Sequence, residues 1–169
     1  DAESEQIDLL QPIHADKPYY AEFGWLSPGN KLPNRETVWT PSRGALSPDN
    51  PVTLSWNNGE GLVFEQDFVI DENFLIAITQ RVRNTSTKDV SVAPYGLISR
   101  TSLPDILGFY ILHEGPLGVF NKTLKEVDYD DLFDDGAVQP AVRQETTGGW
   151  IGFTDKYWLV ALIPDADKP

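Results

Sequence analysis

His14 and His113 are the two histidines of the sequence, and the chain has no cysteine. A histidine beside a carboxylate can act as an acid and base pair, for example on a sugar ring. The two histidines stand in unrelated contexts, however, so two surface or half-buried side chains are the simpler interpretation. A zinc site would need carboxylates to complete it, and the H-x-x-x-H spacing of such sites is missing from the sequence.

An acidic stretch is the second candidate site. Its six carboxylates are Glu126, Asp128, Asp130, Asp131, Asp134 and Asp135. A calcium-binding EF-hand loop needs oxygen ligands at its first, third and fifth positions, and Leu132 occupies one of these positions whether the loop starts at Asp128 or at Asp130. The stretch therefore predicts a solvated loop or a short helical turn rather than a metal site.

Other chemical motifs are incomplete. The sequence has no G-x-S-x-G nucleophile elbow, and "GGWIGF" lacks the lysine and the helix of a phosphate-binding loop. Asn84-Thr85-Ser86 and Asn121-Lys122-Thr123 match the glycosylation sequon, which is a weak pattern. Paired carboxylates of a glycosidase would depend on the fold. We therefore assign no catalytic, cofactor-binding or metal-binding residue.

Aromatic side chains could line a groove for a sugar or a peptide. The candidates are Trp25, Trp39, Trp56, Trp150 and Trp158, with Tyr19, Tyr20 and Tyr110. In a β-sheet protein, packing in the core and on sheet faces is the commoner use of such residues.

Composition limits the class of partner. The 169 residues carry 26 acidic and 13 basic side chains, a formal net charge of −13. This charge opposes binding to nucleic acid and to anionic membrane surfaces. A chain of 169 residues is long enough for one sizeable core, so we expect a single domain, residues 1–169. The chain starts at Asp1 and contains no methionine, so we expect it to be a segment of a longer protein.

Turn-forming residues and alternating apolar residues indicate short strands. Residues 52–70 predict a hairpin around the turn "NNGEG", and "IAITQRVR" alternates with a period of two. We expect "NTSTKD" to turn this strand into a partner that starts at Val90 and Val92. We also expect breaks at Gly108 and at "EGPLG" in the next segment.

The segment "GGWIGFTDKYWLVALIP", residues 148–164, has the densest aromatic and apolar content. Its run Tyr157–Ile163 is too short for a membrane-spanning helix, which needs about 20 residues. Trp150–Phe153 and Tyr157–Ile163 predict two strands joined by a turn, the second a fully buried central strand. Truncating Trp158 in that strand to alanine should then cost roughly 3–5 kcal/mol. Together these elements predict an all-β, antiparallel β-sandwich.

The order of these segments resembles that of a known family. The run "VTLSWNNGEGLVFEQDFVIDENFLIAITQRVRNTSTKDVSVAPYGLISRTSLP", then "HEGPLGVFN", then "GGWIGFTDKYWLVALIP" resembles the large periplasmic domain of the YidC membrane protein insertases of Gram-negative bacteria, in an alphaproteobacterial style. The specific parts are the strand pair that ends in 84–88, the turn 113–116 and the unit 149–164. The resemblance covers most of residues 50–164.

The resemblance implies a β-supersandwich related in shape to galactose mutarotases. It implies a periplasmic position between the first and second transmembrane helices of an inner-membrane insertase. Such a domain would do no covalent chemistry, need no cofactor, and contact Sec translocon components and nascent membrane proteins. The family's working groove lies in helices outside this chain, so no site residue transfers to a position here.

Two functions thus remain open at the level of sequence. The first is a non-catalytic periplasmic module of an insertase that acts through protein contacts. The second is a carbohydrate-binding or mutarotase-like sandwich that uses His14 or His113 with a nearby carboxylate.

Overall fold

The computed structural model describes residues 8–103, 113–134, 137–138, 144–155 and 157–165, and these residues form strands, turns and one short 3₁₀ helix. The strands are β1 (Tyr19–Leu26), β2 (Thr40–Pro41), β3 (Val52–Asn57), β4 (Leu62–Ile70), β5 (Ile76–Asn84), β6 (Ala93–Arg100), β7 (Gly115–Phe120), β8 (Thr123–Glu126), β9 (Phe133–Asp134), β10 (Ala137–Val138), β11 (Trp150–Asp155) and β12 (Trp158–Leu162). The helix is Asp130–Leu132.

Two four-stranded sheets dominate the described residues, with strand orders β2-β3-β4-β5 and β12-β11-β7-β8, and β1-β6 and β9-β10 form two-stranded sheets. Every pair with a described register is antiparallel. The predicted class, an all-β antiparallel fold of the sandwich type, is confirmed by this strand content and pairing. The chain divides into two compact units, one formed by residues 1–22 and 96–169 and the other by residues 23–95.

In the second unit, a local turn explains the β3–β4 hairpin. The side-chain oxygen of Asn58 accepts hydrogen bonds from the backbone N–H groups of Glu60 and Leu62, at 2.7 and 3.0 Å. Gly59 has a φ of 78°, which a residue without a Cβ atom adopts at little cost. The hairpin predicted for residues 52–70 is therefore confirmed.

One face of this sheet carries the core of the unit. Phe64 is fully buried, and Leu62 and Trp25 are nearly so. The Trp25 and Phe64 rings meet at 5.1 Å between centroids in an edge-to-face arrangement, which aromatic pairs favour. Trp39 and Trp56 pack at the margin of this cluster. The preference for core packing over a groove is therefore correct for these tryptophans.

The opposite face of the sheet is polar because successive side chains of a strand alternate between faces. Arg81 forms ion pairs with Glu65 and Asp67, and Arg83 lies 3.4 Å from Glu65. The two arginine side chains are 53% and 62% exposed, so water screens these charges.

The strand predicted to start at Val90 and Val92 is wrong. β5 pairs with β4 along its whole length, from Ile76 opposite Ile70 to Asn84 opposite Leu62. Val90 and Val92 instead pack against the core cluster, and the next strand, β6, pairs with β1. β6 thus pairs with the distant strand β1 and not with the preceding strand β5. The spacing of apolar residues in the sequence does not reveal which of these two strands is the partner.

In the first unit, β11 and β12 form the hairpin predicted from residues 148–164, with Ile151 opposite Leu162 and Asp155 opposite Trp158. The break expected at "EGPLG" is wrong, because β7 starts at Gly115 and pairs with β11 and β8. The break expected at Gly108 lies outside the described residues.

The fully buried central strand predicted for Tyr157–Ile163 is also wrong. β12 occupies one end of the described sheet order, and Trp158, Leu159 and Ile163 are 42%, 52% and 67% exposed. An end strand has one neighbour instead of two, so an apolar run there need not be buried. Among the described residues, none belongs to a helix with the length and apolar character needed to cross a membrane.

Candidate functional site

Four side chains of the first unit form a buried polar cluster, which we call the Arg100 cluster: Arg100, Asp155, Tyr129 and Tyr19. Arg100 ends β6, Asp155 ends β11, Tyr19 begins β1, and Tyr129 immediately precedes the 3₁₀ helix. Tyr19 and Tyr129 are 5% and 3% exposed. Four separate stretches of the chain therefore meet at this cluster.

The contacts within the cluster are short and consistent in donor and acceptor. The Arg100 Nη1 atom donates to both carboxylate oxygens of Asp155, at 2.6 and 2.5 Å. The Tyr129 hydroxyl accepts from Arg100 Nη1 and donates to Asp155 Oδ1, each at 3.2 Å. Arg100 Nε donates to the Ser102 carbonyl oxygen at 2.9 Å. The guanidinium also lies 4.7 Å from the centroid of the Tyr19 ring, within cation–π range.

Burial sets the electrostatics of the two tyrosines. Burial, with the negative charge of Asp155, raises the pKa of Tyr129 to about 12, although the charge of Arg100 opposes the increase. Burial, again with Asp155, raises the pKa of Tyr19 further. Burial alone would lower the pKa of Arg100, but the hydrogen bond that it donates to Asp155 and the charges around it raise the pKa. The tyrosines therefore stay neutral, and the arginine stays charged.

The contacts of the Arg100 cluster indicate a structural role. The guanidinium and the carboxylate neutralise each other, and the Tyr129 hydroxyl is engaged as both acceptor and donor. A general base needs a free lone pair directed at a substrate proton. Arg100, Asp155 and the Tyr129 hydroxyl are directed at one another, so the arrangement holds separate elements of the chain together.

His113 and Asp128, two of the candidate residues considered in the sequence, lie in contact in the structure. His113 Nδ1 lies 2.9 Å from Asp128 Oδ1, and Nε2 lies 3.2 Å from the Pro116 carbonyl oxygen. Both neighbours are acceptors, so whichever ring nitrogen carries a proton is directed at an oxygen of the protein itself. The pair fastens the start of β7 to the acidic stretch.

His14 and the remaining acidic residues do not join this pair in the described structure. His14 is exposed in the turn that precedes β1. The acidic stretch contains the short helix Asp130–Leu132, the helical turn that the sequence predicted. In the part of the chain that is described, no three histidines or carboxylates approach closely enough to hold a metal ion. Asp135 and the side chains of Asp130 and Asp134 lie outside the described residues.

The other predicted groups have structural roles. The Asn84 amide donates to the Lys88 carbonyl oxygen at 2.7 Å, and the Asn121 amide donates to the Glu145 carbonyl oxygen at 3.3 Å, so both sequon asparagines brace loops. Tyr19 packs edge-on against Phe153, with 6.1 Å between ring centroids. Tyr20 and Trp150 are half-buried, Trp158 is exposed, and Tyr110 lies outside the described residues.

Sequence reasoning missed Arg100, Asp155 and Tyr129. A single arginine at the end of the apolar strand "APYGLISR" is a signal for a buried ion pair, because a buried charge needs a partner. The sequence does not identify that partner, which follows 55 positions later.

Comparison with known proteins gives the family. The family described as "YidC periplasmic domain" matches residues 1–169. The chain is 43% identical, over 99% of its length, to "Membrane protein insertase YidC" of Methylorubrum extorquens (strain PA1), of which it covers 28%. It is 43% identical over 98% of its length to the protein of that name from Granulibacter bethesdensis, of which it covers 29%.

The chain thus spans less than a third of the length of these relatives. A third relative with the same name, from Acidiphilium cryptum (strain JF-5), is 44% identical over 96% of the chain and is covered to 29%. No solved structure matches the chain. The resemblance seen in the sequence motifs is confirmed: the chain belongs to the family of YidC periplasmic domains and is located at the periplasmic face of the bacterial inner membrane.

Proposed function

We propose that this chain is a non-catalytic periplasmic module of a membrane protein insertase and that it acts through protein contacts. The observation that carries the proposal is the match of the whole chain, residues 1–169, to one family whose relatives are named membrane protein insertases. We further propose that these residues form one domain of that larger protein.

The geometry of the polar groups supports a non-catalytic role. The Arg100–Asp155 pair and the Tyr129 hydroxyl saturate one another, and both nitrogens of His113 face protein oxygens. An enzyme needs at least one such group free to meet a substrate. We therefore assign no catalytic, cofactor-binding or metal-binding residue to the chain.

The partners that we propose are Sec translocon components and nascent membrane proteins, reached through the full-length insertase. The net charge of −13 supports proteins over nucleic acid as partners. A mutarotase-like activity of His113 and Asp128 is not favoured, because the ring nitrogen that does not face Asp128 is directed at the Pro116 carbonyl oxygen, at 3.2 Å, and thus at the protein itself.

The test uses the full-length insertase in its native membrane. Photo-crosslinking groups at exposed positions of this domain should trap translocon subunits or nascent membrane proteins during insertion. In parallel, aldoses are added to the purified protein, and its thermal unfolding and tryptophan fluorescence are recorded. We expect crosslinks and no response to sugars. A ligand at 100 times its Kd would add about 2.7 kcal/mol of stability, so a clear sugar-induced shift would favour the mutarotase-like alternative.

A further inference from the structure

The turn between β4 and β5 presents an exposed apolar cluster. We call it the 69–76 tip, and its four apolar side chains are Val69, Phe74, Leu75 and Ile76, which are 46%, 85%, 59% and 47% exposed. These residues belong to one hairpin turn; Val69 and Ile76 are on opposite faces of the sheet, because Ile76 lies opposite Ile70, and Phe74 and Leu75 lie between the two strands. Scattered single apolar residues are ordinary on a protein surface, whereas a contiguous group marks a binding surface.

The backbone of the 69–76 tip is held by one side chain. Asp71 Oδ1 accepts hydrogen bonds from the N–H groups of Asn73 and Leu75, at 2.8 and 2.9 Å. The Asp71 backbone also pairs with Leu75 and Phe74, at 3.1 and 3.3 Å. Four hydrogen bonds across five residues give the turn a defined shape. A group that is fixed before binding loses less conformational entropy when it binds.

The backbone of Phe74 is strained, and burial of its side chain does not compensate for that strain. Its φ of 64° is in the left-handed region, which is unfavourable for a bulky side chain. Its ring is 85% exposed and gains almost nothing from burial. Glycine or asparagine would adopt the same backbone conformation more easily. Strain at an exposed aromatic residue indicates that the ring is used outside this domain.

The charges beside the ring indicate what it meets. Asp71 and Glu72 directly precede Asn73 and Phe74, and both acidic side chains are exposed. The nearest arginines by register, Arg81 and Arg83, lie at the other end of β5 and pair with Glu65 and Asp67. The tip therefore combines an apolar centre with a negative border. Because like charges repel, a complementary surface has an apolar pocket with a positive border.

We propose that the 69–76 tip inserts Phe74 and Leu75 into an apolar pocket, bordered by lysine or arginine, on a folded partner protein. This inference rests on the proposed function, since it names the surface through which that module makes contact. A lipid surface is the other apolar partner near an inner-membrane protein. The acidic border and the net charge of −13 oppose an anionic bilayer, so a protein partner fits better.

The test places a photo-crosslinking p-benzoylphenylalanine at Leu75 of the full-length insertase in native membranes. Position 38 is the matched control, because Val38 is also apolar and is 86% exposed. We expect one predominant protein partner from position 75, and not from position 38. Sequencing of the crosslinked peptide should place the contact among apolar residues with lysine or arginine beside them.

Two further variants test the chemistry. Glu72→Lys should lower the crosslinking yield from position 75 several-fold, whereas the same change at the exposed Glu60 should leave it unchanged. Phe74→Asn suits the left-handed backbone, so it should preserve the melting temperature and still abolish the crosslink.

Crosslinks from position 75 only to lipid, only to a second copy of the insertase, or to no protein would overturn the inference. So would a yield that does not change with Glu72→Lys. Capture of translocon subunits from position 38 or other exposed positions, with none from position 75, would reject the 69–76 tip and leave the proposed function intact.

Discussion

Arg100 Nη1 lies 2.6 and 2.5 Å from the two carboxylate oxygens of Asp155, although 55 positions separate the residues. The arginine side chain is 12% exposed and the carboxylate 18%. The ends of β6 and β11 are thus joined by an ion pair that water hardly screens. The net contribution of such a pair is small, but the loss of one partner leaves the other charge buried and uncompensated.

Replacing Arg100 by methionine should therefore lower the free energy of unfolding by about 3–5 kcal/mol. The reason is that the Asp155 carboxylate, which is 18% exposed, loses the cation with which it is paired. Urea denaturation followed by tryptophan fluorescence measures the change.

Two controls accompany this measurement. The double variant Arg100→Met, Asp155→Leu removes both charges and should recover much of the loss. Arg81→Ala, at an arginine that is 53% exposed, should cost less than about 1 kcal/mol. Equal losses at Arg81 and Arg100 would show that the buried pair has no special role.

Alkaline pH should destabilise the protein through Tyr129. Its pKa is about 12 in the folded chain, against an ordinary value of 10.0. The unfolded chain releases the proton at lower pH, so the stabilisation is fully present below pH 10.0 and is lost as the pH rises towards about 12. Tyr19, with a pKa raised in the same direction, adds to the effect.

Urea midpoints measured from pH 8 upwards check this expectation. Tyr129→Phe should be less stable at neutral pH by about 1 kcal/mol, because its hydrogen bonds are lost. It should also show a shallower alkaline decline than the wild-type chain. A decline of unchanged steepness would mean that Tyr129 ionises as easily in the folded chain as in the unfolded one.

Gly149→Ala should be strongly destabilising. Gly149 has a φ of 92°, and an added Cβ atom would overlap the Val119 carbonyl oxygen. The backbone conformation alone costs about 1–3 kcal/mol for a residue with a side chain. Gly44 is the control, because a Cβ atom there meets nothing within 4 Å. Thermal unfolding of both variants should show a large loss at position 149 and almost none at position 44.

Alanine substitutions at Phe64 and Trp158 should differ clearly. Phe64 is 0% exposed, so its truncation should cost about 3–5 kcal/mol. Trp158 is 42% exposed, so Trp158→Ala should cost roughly 1–2 kcal/mol, in proportion to the smaller apolar area that it buries. Urea denaturation measures both losses in the free energy of unfolding. If they were similar, Trp158 would be a core residue, which would contradict the position of β12 at the end of the described sheet order.

Local signals made part of this fold predictable. The β3–β4 hairpin follows from "NNGEG", because Asn58 and Gly59 build the turn with contacts only a few residues apart. The β11–β12 hairpin follows from its short polar interruption in the same way. Where the partner is near in the chain, residue types contain the information that fixes the pairing.

The failures concern distant partners. β6 pairs with β1 rather than with β5, and the Arg100 cluster unites residues from four stretches. Such pairings depend on which surfaces meet after the strands have formed, which hydrophobic periodicity does not encode. The same limit applies to the His113–Asp128 contact, since the sequence supplied both residues but did not indicate that Nε2 would face Pro116.

The polar face of the β2-β3-β4-β5 sheet has a consequence for solubility. β5 is nine residues long and ends the described strand order, and a long strand in that position is a template on which another chain can add. Arg81 and Arg83 project from this strand, and charged side chains on an end strand discourage a second chain from adding there. The exposed ion pairs, which add little to folding stability, thereby help to prevent aggregation through this edge.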